Sequence, residues 1–268
     1  MSIHSSAIIH PDATIGPGTI VGPYAVIDEH VDIGVDCSIG AHAVIHPYTR
    51  MGAGSRVHSG AVIGDWPQDM AFSGVVSHVE IGAGCVFREG VTVHRGTKEG
   101  TVTRIGDRCF LMANSHVAHN CVLGNDVIMA NGVLLGGYVE IGDRAFLSGN
   151  CVVHQFIRIG RLAMMSGLSA LSKDLPPFCI AQNVSANRVS ALNVVGMRRA
   201  GLSPDERAAV KRAFQLLYRS GFNVTQAVTE MKAQFPDGPA AELWQFAESS
   251  TRGICAADQP APADAECR

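Results

Sequence analysis

The sequence predicts a parallel β-solenoid wound from six-residue repeats, followed by a small α-helical region. Three observations carry this. Aliphatic residues recur at every sixth position without a miss through Ile9, Ile15, Val21, Ile27, Ile33, Ile39, Ile45, Met51, Val57 and Ile63. A small or β-branched residue follows each of the first nine by four places: Ala13, Thr19, Ala25, Val31, Cys37, Ala43, Thr49, Ser55 and Ala61. The composition joins 29 glycines and 47% apolar residues to only 6% aromatics, which suits a narrow shaft with small interior side chains. Helices repeat near 3.6 residues and strands at 2, so neither accounts for a period of six.

Each hexad reads as one short strand and a turn. The aliphatic residue points into the shaft and stacks on its equivalent in the next coil, and the small residue packs near the corner. Glycines follow the aliphatic position at 16, 22, 34, 40, 52 and 64, where they are expected to give the turn its backbone freedom. Three hexads close a triangular coil, so equivalent residues stack about 18 apart and each coil satisfies its backbone through its neighbours.

The repeat is interrupted twice, by DWPQDMAFSGVVSHVE before Ile81 and by HRGTKEGTVTR before Ile105. Asp69 and Glu99 stand there in aliphatic slots, so loops near 65–80 and 94–104 are expected to leave the scaffold, where binding residues concentrate. The period resumes at Ile105 and runs through Leu111, Val117, Leu123, Met129, Leu135, Ile141, Leu147, Val153, Ile159, Met165 and Leu171. The solenoid is thus assigned to residues 1–190. Residues 191–255 read as helical: Ser203-Pro204-Asp205-Glu206 is a capping box with proline at the first helical position, and that helix ends at Gly221. Further helices are expected over Asn223–Phe235 and Ala240–Glu248. The Ala/Pro/Asp-rich tail, 256–268, is expected to be disordered.

A net charge of −3 argues against a nucleic-acid or membrane-surface partner, and no apolar run is long enough to span a bilayer. The N-terminus lacks a basic segment followed by an apolar core, so a cytoplasmic location is expected. Cys37, Cys85, Cys109, Cys121 and Cys151 share the small-residue slot with Ala, Ser, Thr and Val, which reads as reduced structural thiols.

An apolar shaft exposes no pocket of its own, so chemistry belongs on an outer face, in the loops or between subunits. The polar residues that the repeat does not require are His94, His116, His119, His154, Gln155 and Asp69. His4, His10, His30, His42, His46 and His58 read as solvated turn residues. His116 and His119 differ, because they cluster with Asn114 and Asn120 in one turn. An H-x-x-H pair on a β-coil does not place two imidazoles as a helix does, and no carboxylate or thiol completes a set, so no metal site is assigned. A neutral imidazole, with its ordinary pKa near ~6.5, suits proton abstraction from a sugar hydroxyl. No nucleophile elbow or Ser-His-Asp order is evident, so direct transfer without a covalent enzyme intermediate is expected.

The segments NSHVAHN, VTVHRGT, the PQD loop, VVHQF, KDLPPFCIAQ and RRAGLS…LYRSG…STRG together resemble the UDP-N-acetylglucosamine O-acyltransferases, the acyl-ACP-dependent enzymes that open lipid A synthesis. The likeness runs to about Gly253. Hexads alone occur in many acetyltransferases, N-acyltransferases and γ-class carbonic anhydrases; the combination is specific. The resemblance implies an all-β left-handed parallel β-helix with a C-terminal helical domain, although parallel crossovers are normally right-handed. It also implies a homotrimer with active sites between subunits, and no bound cofactor. A (3-hydroxy)acyl group would pass from the phosphopantetheine of acyl carrier protein to the 3-hydroxyl of the UDP-sugar.

By the same resemblance His119 is the general base, and the Gly137 backbone N–H faces the developing oxyanion. Asp69 contacts the sugar, and His116, His154 and Gln155 contact substrate. Asn193, Arg198 and Arg199 fall in the nucleotide- and carrier-facing segment. Gly167 gauges acyl length, its missing side chain leaving room for a longer chain. The chain departs from the family at Asn120, where aspartate is usual, at Ala71 for lysine, at Tyr138 for histidine, and at Ala200 within a basic run. UDP-3-O-acylglucosamine N-acyltransferases also carry His-Asn, so an amino-sugar acceptor stays open. A γ-carbonic-anhydrase-like zinc hydratase and a non-catalytic scaffold are the more distant alternatives.

Overall fold

The computed structural model describes residues 2–182 and 186–257. Strands of mostly two residues alternate with tight turns; Ser2–Ile3, Ile8–Ile9 and Thr14–Ile15 make the first coil. The next strand, Ile20–Val21, lies parallel on the first, pairing Ser2 with Ile20 and Ile3 with Val21. Three sheets of twelve, nine and eight strands form the faces of a prism among the described residues. In most two-residue strands the second residue turns inward. Ile27, Ile33, Ile39 and Ile45 are almost wholly buried, and so are the small residues Ala25, Val31, Cys37 and Ala43.

The glycines after the aliphatic slot have another cause than turn freedom. Gly16, Gly34, Gly52, Gly82, Gly106, Gly124, Gly142 and Gly160 follow all eight strands of the third sheet, and none has positive φ. Added Cβ atoms there would meet the adjoining coil: 2.6 Å from Gly34 C at Gly16, 2.7 Å from Ala53 N at Gly34, 2.6 Å from Ala83 N at Gly52. Coils approach too closely at that corner for any side chain. Gly64, with φ +88°, is the one glycine of the expected set that needs the left-handed conformation. Elsewhere that conformation falls two residues later in the hexad, on Tyr24, His30, Asp36, His42 and Tyr48. There the N-terminal aromatic residues form corner ladders, with Tyr24 stacked on His42 at 5.1 Å and His30 on Tyr48 at 5.3 Å.

Residues 18 apart face one another along most of the shaft, as Asn125 and Asp143 do. The step widens to 30 between Ser55 and Cys85 and to 24 between Thr92 and His116. These two steps absorb the strandless segments 66–77 and 95–101, and the parallel ladder resumes beyond each. Buried thiols help join the coils: Cys85 donates to Gly106 O at 3.0 Å and Cys109 to Gly124 O at 3.1 Å.

At the C-terminal end Arg188–Leu192 turns antiparallel to Cys179–Ala181, and Ala256–Ala257 pairs with it in parallel. Order therefore extends two residues into the expected tail; the remainder of the tail lies outside the described residues. Among the described residues four helices follow the shaft: α1 (Val194–Arg199), α2 (Pro204–Arg219), α3 (Val224–Gln234) and α4 (Gly238–Glu248). The sequence suggests only the last three, because six residues are too few to display a period. Ser203 accepts from Glu206 N–H while the Glu206 carboxylate accepts from Ser203 N–H, completing the capping box of α2. The helices are tied to the shaft by a two-pronged Arg161–Glu242 pair at 2.9 and 2.6 Å. The buried Asp174 also joins them, accepting from Arg158 N–H and Ser250 Oγ.

Leu111 is fully buried at the centre of the repeat run. Leu111→Ala should lower unfolding stability by about 2–5 kcal/mol, read as an earlier midpoint in denaturant, because a one-dimensional stack cannot collapse around the cavity.

Candidate active site

His119 sits in the turn after the strand His116–Val117, and Gly137 and Tyr138 occupy the equivalent turn of the following coil. The stack is direct: Tyr138 N–H donates to His119 O at 3.0 Å. The imidazole lies over Gly137, so closely that a Cβ there would be 2.3 Å from Cε1 and 2.5 Å from Nε2. Glycine is thus required at 137 to admit the ring. Among the described residues no acceptor takes the Gly137 N–H, while its carbonyl accepts from Phe156 N–H at 2.9 Å.

The tautomer of His119 follows from its neighbour. The Asn120 side-chain oxygen accepts from Thr97 backbone N–H at 3.0 Å and from the Thr97 hydroxyl at 3.1 Å. A backbone N–H can only donate, so the amide oxygen is the end turned inward. His119 Nδ1 stands 3.0 Å from that same oxygen and must carry the proton. Nε2 then keeps its lone pair, the form a general base needs. Asn120 is itself held in the left-handed conformation, φ 59°, with its N–H on Thr103 Oγ1 at 2.7 Å.

His116 is not in that turn but on the strand that leads into it, its Nδ1 at 2.7 Å from Thr92 Oγ1 and its ring edge-on to His94 at 4.8 Å. Burial, followed by the proximity of His94 and His119, pulls its pKa down to about 4. Burial likewise lowers His94, whose Nδ1 has no partner among the described residues. Both rings are neutral at pH 7 and present uncharged hydrogen-bonding groups beside His119.

His154 and Gln155 lie one coil beyond Gly136 and Gly137 on the same corner, both exposed. Arg252 reaches them from the C-terminal segment, donating to Gln155 O at 3.1 Å and lying over the Phe156 ring. Phe156 stacks on Tyr138 at 5.0 Å, and Tyr138 meets His119 edge-on at 5.3 Å. The two loops leave this same corner, after Asp65 and after His94. Asp69 is half-exposed in the first loop, with one oxygen capping Ala71 N–H at 2.9 Å. The buried Arg95, lying between the rings of Tyr48 and Phe72, holds that loop against the shaft.

The other sequence-derived positions lie elsewhere on the single chain. Gly167 is on the corner between the first and second sheets, where a Cβ would make only an ordinary 3.6 Å contact with Gly149 O. Asn193 caps α1, accepting from Gly196 N–H at 2.8 Å and donating to Leu162 O at 2.9 Å. Arg198 and Arg199 are exposed at the end of that helix. Arg199 borders an open groove of about 790 Å³, lined by Ile128, Phe146, Met164 and Val195 over the first sheet. That sheet is the face opposite the His119 corner. Thr97 and Phe156 end the segments VTVHRGT and VVHQF, but their contacts are not legible there, because Thr97 sits in a segment without period and Phe156 looks like an ordinary turn residue.

A family model described as Udp N-acetylglucosamine O-acyltransferase, domain 2, matches residues 174–255, and one for bacterial transferase hexapeptide repeats matches 103–137. An acyl-[acyl-carrier-protein]–UDP-N-acetylglucosamine O-acyltransferase of Gloeothece citriformis is 44% identical over 203 residues, covering 76% of this chain and 73% of that protein. A UDP-N-acetylglucosamine acyltransferase structure from Bacteroides fragilis superposes with TM-score 0.89 at 38% identity, over 94% of this chain and 98% of that one. The chain belongs to the UDP-N-acetylglucosamine O-acyltransferase family. The match to the enzyme of the same name from Anaeromyxobacter, at 41% identity, spans 59% of that relative's length and 56% of this chain. A Moraxella catarrhalis UDP-N-acetylglucosamine O-acyltransferase structure aligns over its whole length, with TM-score 0.91 and 36% identity. The solenoid is the left-handed parallel β-helix of this family, against the usual right-handed crossover rule.

Two outcomes follow. Gly137→Ala should displace the His119 ring and lower kcat by about 100-fold, with the circular dichroism spectrum unchanged. Stability should fall as pH drops from about 6.5 to about 4. In that window the unfolded chain takes up protons that the native His116 and His94 refuse. Denaturant midpoints measured across it should decline less steeply in His116→Gln.

Proposed function

We propose that this chain transfers a (3-hydroxy)acyl group from acyl carrier protein to the 3-hydroxyl of UDP-N-acetylglucosamine, the opening acylation of lipid A synthesis. The observation that carries the reading is His119: its Nδ1 proton is tied to Asn120, which leaves Nε2 unprotonated, and its ring lies over Gly137. Nε2 takes the proton of the sugar 3-hydroxyl as that oxygen attacks the thioester carbonyl carbon. The carbonyl oxygen becomes an oxyanion to which the Gly137 N–H, without an acceptor among the described residues, donates, a contribution of roughly 2.7–4 kcal/mol for one such donor. Collapse breaks the C–S bond, and the phosphopantetheine thiolate recovers the proton from His119. Asp69 contacts the sugar, His116, His154 and Gln155 contact substrate, Gly167 bounds the acyl chain, and Asn193, Arg198 and Arg199 face the nucleotide and the carrier.

Those last groups stand on corners and faces away from His119 in one chain, which supports a homotrimer whose clefts bring His119 of one subunit to the far corner of the next. A cytoplasmic enzyme with no resident cofactor agrees with this substrate set, and no described helix is long and apolar enough to cross a membrane. The amino-sugar and zinc-hydratase alternatives have no counterpart among the relatives named above. His119→Ala should lower kcat for acyl transfer to UDP-N-acetylglucosamine by about 100- to 10,000-fold while the oligomer, sized by light scattering, is retained. Turnover near the parent value would remove the assignment of the base.

A further inference from the structure

We propose that Thr97, on the second extruded loop, is a positioning residue that sets the tautomer of His119 through Asn120. The inference rests on His119 as base and goes beyond it. A carboxylate beside a catalytic imidazole accepts the Nδ1 proton with either oxygen, so its orientation is indifferent. An amide has one accepting end and one donating end. Turned round, Asn120 would present its NH2 to His119, favour the Nε2–H tautomer and leave no lone pair over Gly137.

Two donors from a single residue forbid that rotation. Thr97 backbone N–H and Thr97 Oγ1 converge on the same Asn120 oxygen that receives His119 Nδ1–H. With the Thr97 proton directed at Asn120, the Tyr138 phenol, 3.0 Å away, donates to Thr97 Oγ1. The chain of bonds therefore runs from Tyr138 through Thr97 to Asn120, and each donor strengthens the next. Contacts on both sides brace the loop. Ser77 Oγ donates to Gly96 O at 2.6 Å, Gly100 N–H donates to Val76 O, and Thr101 Oγ1 closes on Lys98 O at 2.7 Å. Thr97 is held by the first loop and by bonds within its own, so it can hold Asn120.

The test is Thr97→Val, Thr97→Ser and Asn120→Asp in the full-length enzyme, singly and crossed, with acyl carrier protein and UDP-N-acetylglucosamine as substrates. Removing the hydroxyl should lower kcat by roughly tenfold with both KM values unchanged, the scale of one well-placed hydrogen bond. Thr97→Ser should restore it. In the Asn120→Asp background the Thr97→Val effect should shrink to less than about twofold, because a carboxylate needs no choice of end. Nitrogen-15 spectra of labelled histidine, assigned by difference against His119→Gln, should show the Nδ1–H form in the parent and a mixture of tautomers in Thr97→Val. Parental kcat and spectrum in Thr97→Val, or an equal loss in both backgrounds, would overturn the role of Thr97. If His119→Ala were active, the base assignment itself would fall; an inactive His119→Ala beside a fully active Thr97→Val would remove Thr97 alone.

Discussion

The structure depends on the parallel backbone ladder between successive coils, and on how closely it lets them approach. Coil after coil, the carbonyl of one strand accepts from the N–H of the strand 18 residues earlier, as Ile33 O does from Gly16 N–H at 2.8 Å. At the corner after the third sheet the approach leaves no space for a Cβ, which is why glycine stands there in all eight coils. Everything else is placed by that stacking. It aligns the inward aliphatic residues into one continuous core, and it sets residues distant in sequence on the same corner at neighbouring heights.

The active-site corner is a consequence. His119, Gly137 and Gln155 lie in successive turns of one edge, and the fit of an imidazole over a glycine is a fit between two coils. The loops then add what a repeating shaft cannot supply. Inserting 66–77 and 95–101 leaves the ladder intact above and below, since each insertion is absorbed within one coil. The second loop brings Thr97 onto Asn120, and the first brings Asp69 to the same edge. Rigidity of the scaffold and irregularity of the loops divide the work between them.

Most of the scaffold was legible because it obeys a period. Ile9 to Ile63 and Ile105 to Leu171 identify the inward rows, the breaks at Asp69 and Glu99 mark the loops, and Ser203 to Glu206 marks the start of α2. The reason for the glycines was not legible, since a sequence displays that a side chain is missing and not whether φ or a neighbouring backbone forbids it. The six-residue α1 was too short to register. At the site, His119 and Gly137 were readable as residues one coil apart, but the partners that make them chemical were not. Thr97 reaches Asn120 across 23 residues of aperiodic chain. Arg252 reaches His154 and Gln155 across nearly a hundred, and only the path of the C-terminal segment creates those contacts.

The substitution of asparagine for the usual acid beside His119 changes what the neighbour can do. An aspartate would orient the ring and also stabilise the imidazolium that forms when Nε2 takes its proton. Asn120 supplies orientation without the charge, and the neighbouring imidazoles, His116 and His94, are neutral at pH 7. On the proposed reaction, the imidazolium is stabilised by the oxyanion that forms over Gly137. On the proposed mechanism the neutral Tyr138–Thr97–Asn120 chain serves the same reaction as a carboxylate would, by geometry where the carboxylate adds charge.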